Sequence, residues 1–197
     1  MLAQLRPALV LMALFTLLTG IVLPLGFTGL AGAVFPRQAG GSLVERDGTV
    51  VGSALLGQPF TQNKYFQGRP SATTDTDPAD STKTVAAPYN AANSGASNAG
   101  PTNKALVDRV TADLEKAGPK PVPGDVVTTS ASGLDPDISP ANASRQVARV
   151  AAARNLPEDR VRALVAEHTA GRLLGLIGEP RVNVLALNMA LDDAARN

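Results

Sequence analysis

The chain has 197 residues, with 18 Lys and Arg against 17 Asp and Glu, a net charge of +1, one histidine and no cysteine. A near-neutral surface offers no phosphate-neutralising stripe, which argues against a nucleic-acid partner. The missing cysteines exclude disulfides, thiolate metal sites and thiol nucleophiles together. Aromatic residues make up only 4%, so Leu, Val and Ala must supply the core.

Residues 1–7 form a short amino-terminal flank, and residues 7–36 carry no charge. A helix needs roughly 20 apolar residues to cross the hydrocarbon of a bilayer, and residues 8–30 satisfy that length. The competing reading is a cleaved signal peptide, with Arg6 as its basic start and Ala31-Gly32-Ala33 as a small-residue cleavage site. The apolar run outlasts the about 7 to 15 residues of a signal core, which favours a retained anchor. Gly20, Pro24 and Gly26 interrupt it, as lipid-embedded helices tolerate. Thr16 and Gly20 form a small-xxx-small pair and are candidates for contact with a partner helix. Arg6 on one flank, against Arg37 and the mixed Glu45, Arg46 and Asp47 on the other, predicts the amino terminus inside and residues 37–197 outside.

In that second segment, short strands are predicted over 43–51 and 54–56, around the hairpin dipeptide Asp47-Gly48. From 58 to 102 the chain is rich in Pro, Gly, Asn, Ser and Thr without periodicity, and residues 75–93 read as a variable or mobile loop. Tyr65, Phe66 and Arg69 cluster there; they suit either a protein interface or a local core plug. A helix follows with Thr102 or Asn103 as its cap, Leu106, Val107, Val110 and Leu114 as its apolar stripe, and Gly118-Pro119 as its stop. Val126 and Val127 suggest a strand. Ser139-Pro140 opens a helix with Val147, Val150 and Ala151 inward; Asn155 and Pro157 precede another with Val161, Leu164 and Val165 inward, closing at Gly171. Residues 181–187 alternate like a strand, and a last helix begins at Asn188. The fold class is therefore α+β: one amino-terminal transmembrane helix, then a single mixed domain over 37–197.

Few residues suggest chemistry. His168, beside Glu167, lacks a second histidine at helical spacing, so a zinc-protease motif fails. Asp135 and Asp137 flank Pro136 near Ser132 and Gly133, a composition that fits turn and capping bonds better than acid/base work. A secreted or membrane-anchored hydrolase using Ser132, Asp135 and His168 is the alternative from another class, although no nucleophile elbow surrounds the serine. Residues 95–102 (GASNAGPT) hold the two glycines and terminal hydroxyl of a P-loop, but Pro101 stands where its lysine belongs.

The ordered segments LRPAL at Leu5, GSALLGQ at Gly52, YFQGRPSAT at Tyr65, SGASN at Ser94, SASGLDPDISP at Ser130, QVARVAAARNL at Gln146 and GEPRVNVLALNMAL at Gly178 resemble the C subunit of the high-affinity potassium-transporting Kdp ATPase, nearly end to end. The resemblance implies a non-catalytic subunit beside a potassium-binding channel-like A subunit, a P-type ATPase B subunit and a small F subunit. Catalysis then lies in another subunit. ATP and potassium belong to the complex, and no cofactor or metal is assigned to this chain. The family is described as a catalytic chaperone that raises ATP affinity, with nucleotide contact placed near Gln146. It also implies a single-pass protein of the inner (plasma) membrane, with a cytoplasmic amino terminus and an extracytoplasmic domain. A domain so placed reaches cytoplasmic ATP only by coupling across the membrane. Partner-interface candidates are Thr16, Gly20, Tyr65, Phe66, Arg69, and Ser97 and Asn98 of the SGASN match. Asp137 departs from the family pattern, which often has His or Asn there.

Overall fold

The computed structural model describes residues 2–194, which divide after Val51 into two compact units. In the first, helix α1 (Leu2–Leu17), a π-turn over Leu18–Val22 and helix α2 (Leu23–Val34) run on without a break. The apolar stretch Ala3–Val34 spans 32 residues at mean hydropathy 2.5, with none of it buried within the protein. It extends past both ends of the expected 8–30 segment. The π-turn has a local cause. Pro24 has no N–H to give the Gly20 carbonyl, and its ring crowds that carbonyl; a wider turn just before it, closed by the Leu23 N–H on the Leu18 carbonyl, absorbs the misfit. Thr19 Oγ1 donates back to the Phe15 carbonyl at 2.6 Å.

A single turn, α3 (Pro36–Ala39), leads to strands β1 (Leu43–Arg46) and β2 (Thr49–Ser53), which pair as a two-stranded sheet. Asp47 (φ 52°) and Gly48 (φ 74°) are both left-handed, as a two-residue hairpin of right-handed twist requires. The expected strand over 54–56 is instead a turn, because Ser53 Oγ captures the Leu55 N–H.

In the second unit the segment expected to lack structure contains a hairpin. Strands β3 (Thr74–Asp77) and β4 (Asp80–Ala86) pair antiparallel from Thr74↔Ala86 to Asp77↔Asp80. Helix α4 (Lys104–Ala117) begins under Asn103, whose Oδ1 accepts from the Ala105 and Leu106 amides. Gly124–Val126 forms a 3₁₀ turn in place of the predicted strand, and it buries Val127.

The core sits in the carboxy-terminal half. Helix α5 (Pro140–Arg154) starts at the Ser139 cap and ends at left-handed Asn155; α6 (Glu158–Glu167) follows. Strands β5 (Asp137–Ile138), β6 (Thr169–Ala170) and β7 (Arg181–Asn183) form an antiparallel sheet in the order β5-β7-β6, with Val182 opposite both Ile138 and Thr169. Helix α7 (Val184–Ala194) starts four residues before the expected Asn188. Asn183 explains the difference: its Oδ1 accepts from the Ala186 amide, ending the strand and capping the helix in one residue. Val147, Val150, Ala151, Val161, Leu164, Val165, Leu187 and Leu191 pack together with Phe66, Ile138 and Val182.

Candidate functional site

The extended segment around Phe66 is clasped between α5 and α7. Asn188, only 2% exposed on α7, accepts from the Phe66 amide (2.8 Å) and donates to the Phe66 carbonyl (2.9 Å). One residue on, Gln146 of α5 repeats the pattern: its Oε1 accepts from the Gln67 amide at 2.8 Å and its Nε2 donates to the Gln67 carbonyl at 2.9 Å. Two side-chain amides thus take the place of neighbouring strands, satisfying a backbone that would otherwise be buried unpaired. Arg149 donates to the Asn63 and Tyr65 carbonyls, and Arg154 to the Lys64 carbonyl. Arg154 also pairs with Asp192 at 2.7 Å and lies over the Tyr65 ring, whose hydroxyl donates to Asp192. Burial pulls the Arg149 guanidinium below its ordinary pKa.

Beyond the clasp, Arg69 turns toward the Ser132–Asp135 stretch. Its Nη1 meets Asp135 Oδ2 at 2.8 Å, and Nε and Nη2 donate to the Thr128 and Thr129 carbonyls. The Tyr89 hydroxyl donates to the Arg69 carbonyl at 2.6 Å, and burial, with Asp135 nearby, pushes that phenol up to about 12. Gly57 and Gly68 make room for this side chain; an added Cβ would stand 2.3 Å from a ring carbon at Gly57 and 2.2 Å from the hydroxyl oxygen at Gly68. Ser71 Oγ donates to the Gly133 carbonyl at 2.7 Å. Asp137 Oδ2 pairs with Arg181 at 3.0 Å, and its Oδ1 accepts from Asn183; even so, burial raises its pKa, with Asp135 adding to the shift.

The candidate residues therefore part company. Phe66 is fully buried and has no surface to offer a partner, while Tyr65 and Arg69 are half-buried and bonded within the domain. Phe66 itself is a core plug, filling the space under α5 and α7. Ser97 and Asn98 are exposed, as are Thr16 and Gly20, and nothing lies within 4 Å of a Cβ placed on Gly20. Gln146 also accepts from Arg149 at 2.6 Å and donates to Asn142 at 3.0 Å. An amide has two donor hydrogens and two acceptor sites, so its capacity is filled within the chain. It lines a cleft of about 390 Å³ with Lys116, Arg145 and Arg149. Arg145 there donates to the carbonyls of Ala117, Pro119 and Pro121.

Ser132, Asp135 and His168 bond elsewhere. Ser132 Oγ accepts from the Leu134 amide, Asp135 holds Arg69, and His168 Nδ1 lies 2.9 Å from the Leu164 carbonyl at the end of α6. The P-loop-like stretch is a loop whose Gly95 amide donates to the Ser132 carbonyl, and the following helix is capped by its own Asn103. Among the described residues no group of three or more His, Cys, Asp or Glu could hold a metal ion. Sequence reasoning misses the roles of Asn188, Arg149 and Arg154, whose backbone partners around Phe66 lie 84 to 122 positions away. It also passed over the exposed hairpin at 173–177; the only signal was a run of large aliphatics around Gly175, a turn residue.

One long apolar helix followed by a mixed α+β domain defines, among the described residues, a protein with a single candidate membrane span. The profile of the KdpC family, described as K+-transporting ATPase, c chain, matches residues 5–193, and the chain belongs to that family. It is 65% identical to the potassium-transporting ATPase KdpC subunit of Rhodopseudomonas palustris strain BisB18, over 98% of this chain and 100% of that one. It is 63% identical to the protein of the same name from Bradyrhizobium diazoefficiens, over 99% of each, and 64% identical to that of Methylorubrum extorquens, over 100% of each.

Proposed function

We propose that this chain is the non-catalytic accessory subunit of an ATP-driven potassium uptake complex, assembling and stabilising a potassium-binding A subunit, a P-type ATPase B subunit and a small F subunit. The observation that carries this reading is 65% identity along the full length of a potassium-transporting ATPase KdpC subunit. The helix Ala3–Val34 is the single membrane anchor, with the amino terminus cytoplasmic and the domain extracytoplasmic in the inner membrane. There the domain stabilises the assembly and caps the potassium entrance, and any influence on ATP affinity reaches the B subunit as coupling through the complex. The saturation of Gln146 supports this indirect route, since a nucleotide at that amide would have to displace the Gln67 backbone.

Detergent extraction of native membranes with a tagged chain tests the proposal. The chain is expected to fractionate with membranes and to co-purify with a potassium-stimulated ATPase. A chain recovered in the soluble fraction, or alone and hydrolytically active, contradicts it and revives the hydrolase using Ser132, Asp135 and His168.

A further inference from the structure

Residues 171–180 are exposed throughout, and at their centre a tight hairpin carries Leu173 (66% exposed), Leu174 (85%), Leu176 (82%) and Ile177 (63%). Its shape is fixed from within. Leu173 and Ile177 exchange both backbone hydrogen bonds, at 2.8 and 3.0 Å, while the Gly175 and Leu176 amides donate to the Arg172 and Leu173 carbonyls. Arg172 grips both oxygens of Glu179, at 2.7 and 3.0 Å, across the base. The turn places Gly175 (φ 74°) and also Leu174 (φ 53°) in the left-handed region. Glycine or asparagine is the residue that region favours; a leucine there, almost wholly exposed, works against local preference. It sets the direction in which its isobutyl group leaves the turn.

We propose that this hairpin tip is a docking plug that seats in an apolar, uncharged pocket of another subunit of the same ATPase complex; the proposal rests on the subunit reading above. Four large aliphatic side chains clustered on a protruding turn are what a soluble surface avoids unless something covers them. The chemistry favours a shaped protein pocket over lipid. Loops that enter a membrane interface use free Lys or Arg and aromatic rings, whereas residues 169–183 contain no Phe, Tyr or Trp. Both nearby arginines are also engaged, Arg172 with Glu179 and Arg181 with Asp137. A fluid bilayer also has no use for a leucine held at a fixed, disfavoured angle; a pre-shaped pocket does.

The test uses the full chain co-expressed with the other subunits. Leu174→Asn keeps a residue suited to left-handed φ while removing the apolar group, and Leu176→Ser removes the second anchor. The double variant is expected to stay in the membrane and melt within roughly 2 °C of the unaltered chain, since exposed substitutions scarcely move stability. The ATPase retained on it should fall about tenfold, as loss of central apolar anchors does. Because the chain has no cysteine, Leu176→Cys carrying a photoreactive maleimide should cross-link to a different subunit. Undiminished retention with the double variant, or cross-linking only to lipid or to a second copy of this chain, overturns the docking plug. If the unaltered chain retains the ATPase in those cases, the subunit reading stands; if it retains none, both readings fall.

Discussion

At the scale of single residues, the domain spends its amides on backbone. Asn188 is the clearest case, because Phe66 lies fully inside the core and neither its N–H nor its carbonyl can turn to water. Asn188→Ala strands both groups at about 1–3 kcal/mol each. The melting temperature of the full chain in detergent should therefore drop by roughly 5 °C or more, at about 2–4 °C per kcal/mol for a chain of this size. An unchanged melting temperature would show that the clasp contributes nothing. Asp137 supports a prediction in pH. Its pKa in the folded chain is raised, chiefly by burial, so the folded state holds the proton more tightly than the unfolded one. That contribution is fully present below the ordinary carboxylate value, about 4, and is lost as pH rises through the folded-state value. Asp137→Asn removes the titration. The melting temperature of the variant relative to the unaltered chain should grow more favourable from about pH 4 to about pH 7, and a difference that stays flat or shrinks would refute the assignment.

Among the elements, the anchor carries the question of which side of the membrane the domain occupies. A chain without cysteine allows a clean probe, and Thr76 on β3 is exposed. Thr76→Cys should react with a membrane-impermeant thiol reagent added to intact cells, whereas Ala3→Cys on α1 should react only after the membrane is opened. The reverse order would put the domain beside cytoplasmic ATP and reopen direct nucleotide contact near Gln146. The elements legible in the sequence follow from local signals. The apolar span, the Asn103 and Ser139 caps, the Asp47-Gly48 turn and the inward faces of α5 and α6 each lie within a few consecutive residues. The β3–β4 hairpin was invisible because β4 is exposed on both faces from Ser81 to Ala86, leaving no alternation to detect. RVNVLAL alternates like a strand, and only the Asn183 cap sets the start of α7 at Val184. At the candidate site, the position of the Tyr65–Arg69 cluster was legible in its composition. The inward placement of Phe66 is not, since it depends on bonds to a helix residue 122 positions away.

For the whole molecule, a long apolar helix suited to lipid is followed by an α+β domain in which Asn188, Gln146, Arg145, Arg149 and Arg154 bind the domain's own loops. The family to which the chain belongs is that of the c chain of a K+-transporting ATPase. Under the proposed function, this chain completes such a pump without performing its chemistry. The most direct measurement is potassium-stimulated ATP hydrolysis by membranes in which the other subunits are expressed with and without this chain. Activity is expected to be high only when the chain is present, and the purified chain alone should hydrolyse no ATP. Full potassium-stimulated activity in its absence, or ATP hydrolysis by the chain alone, would contradict the account.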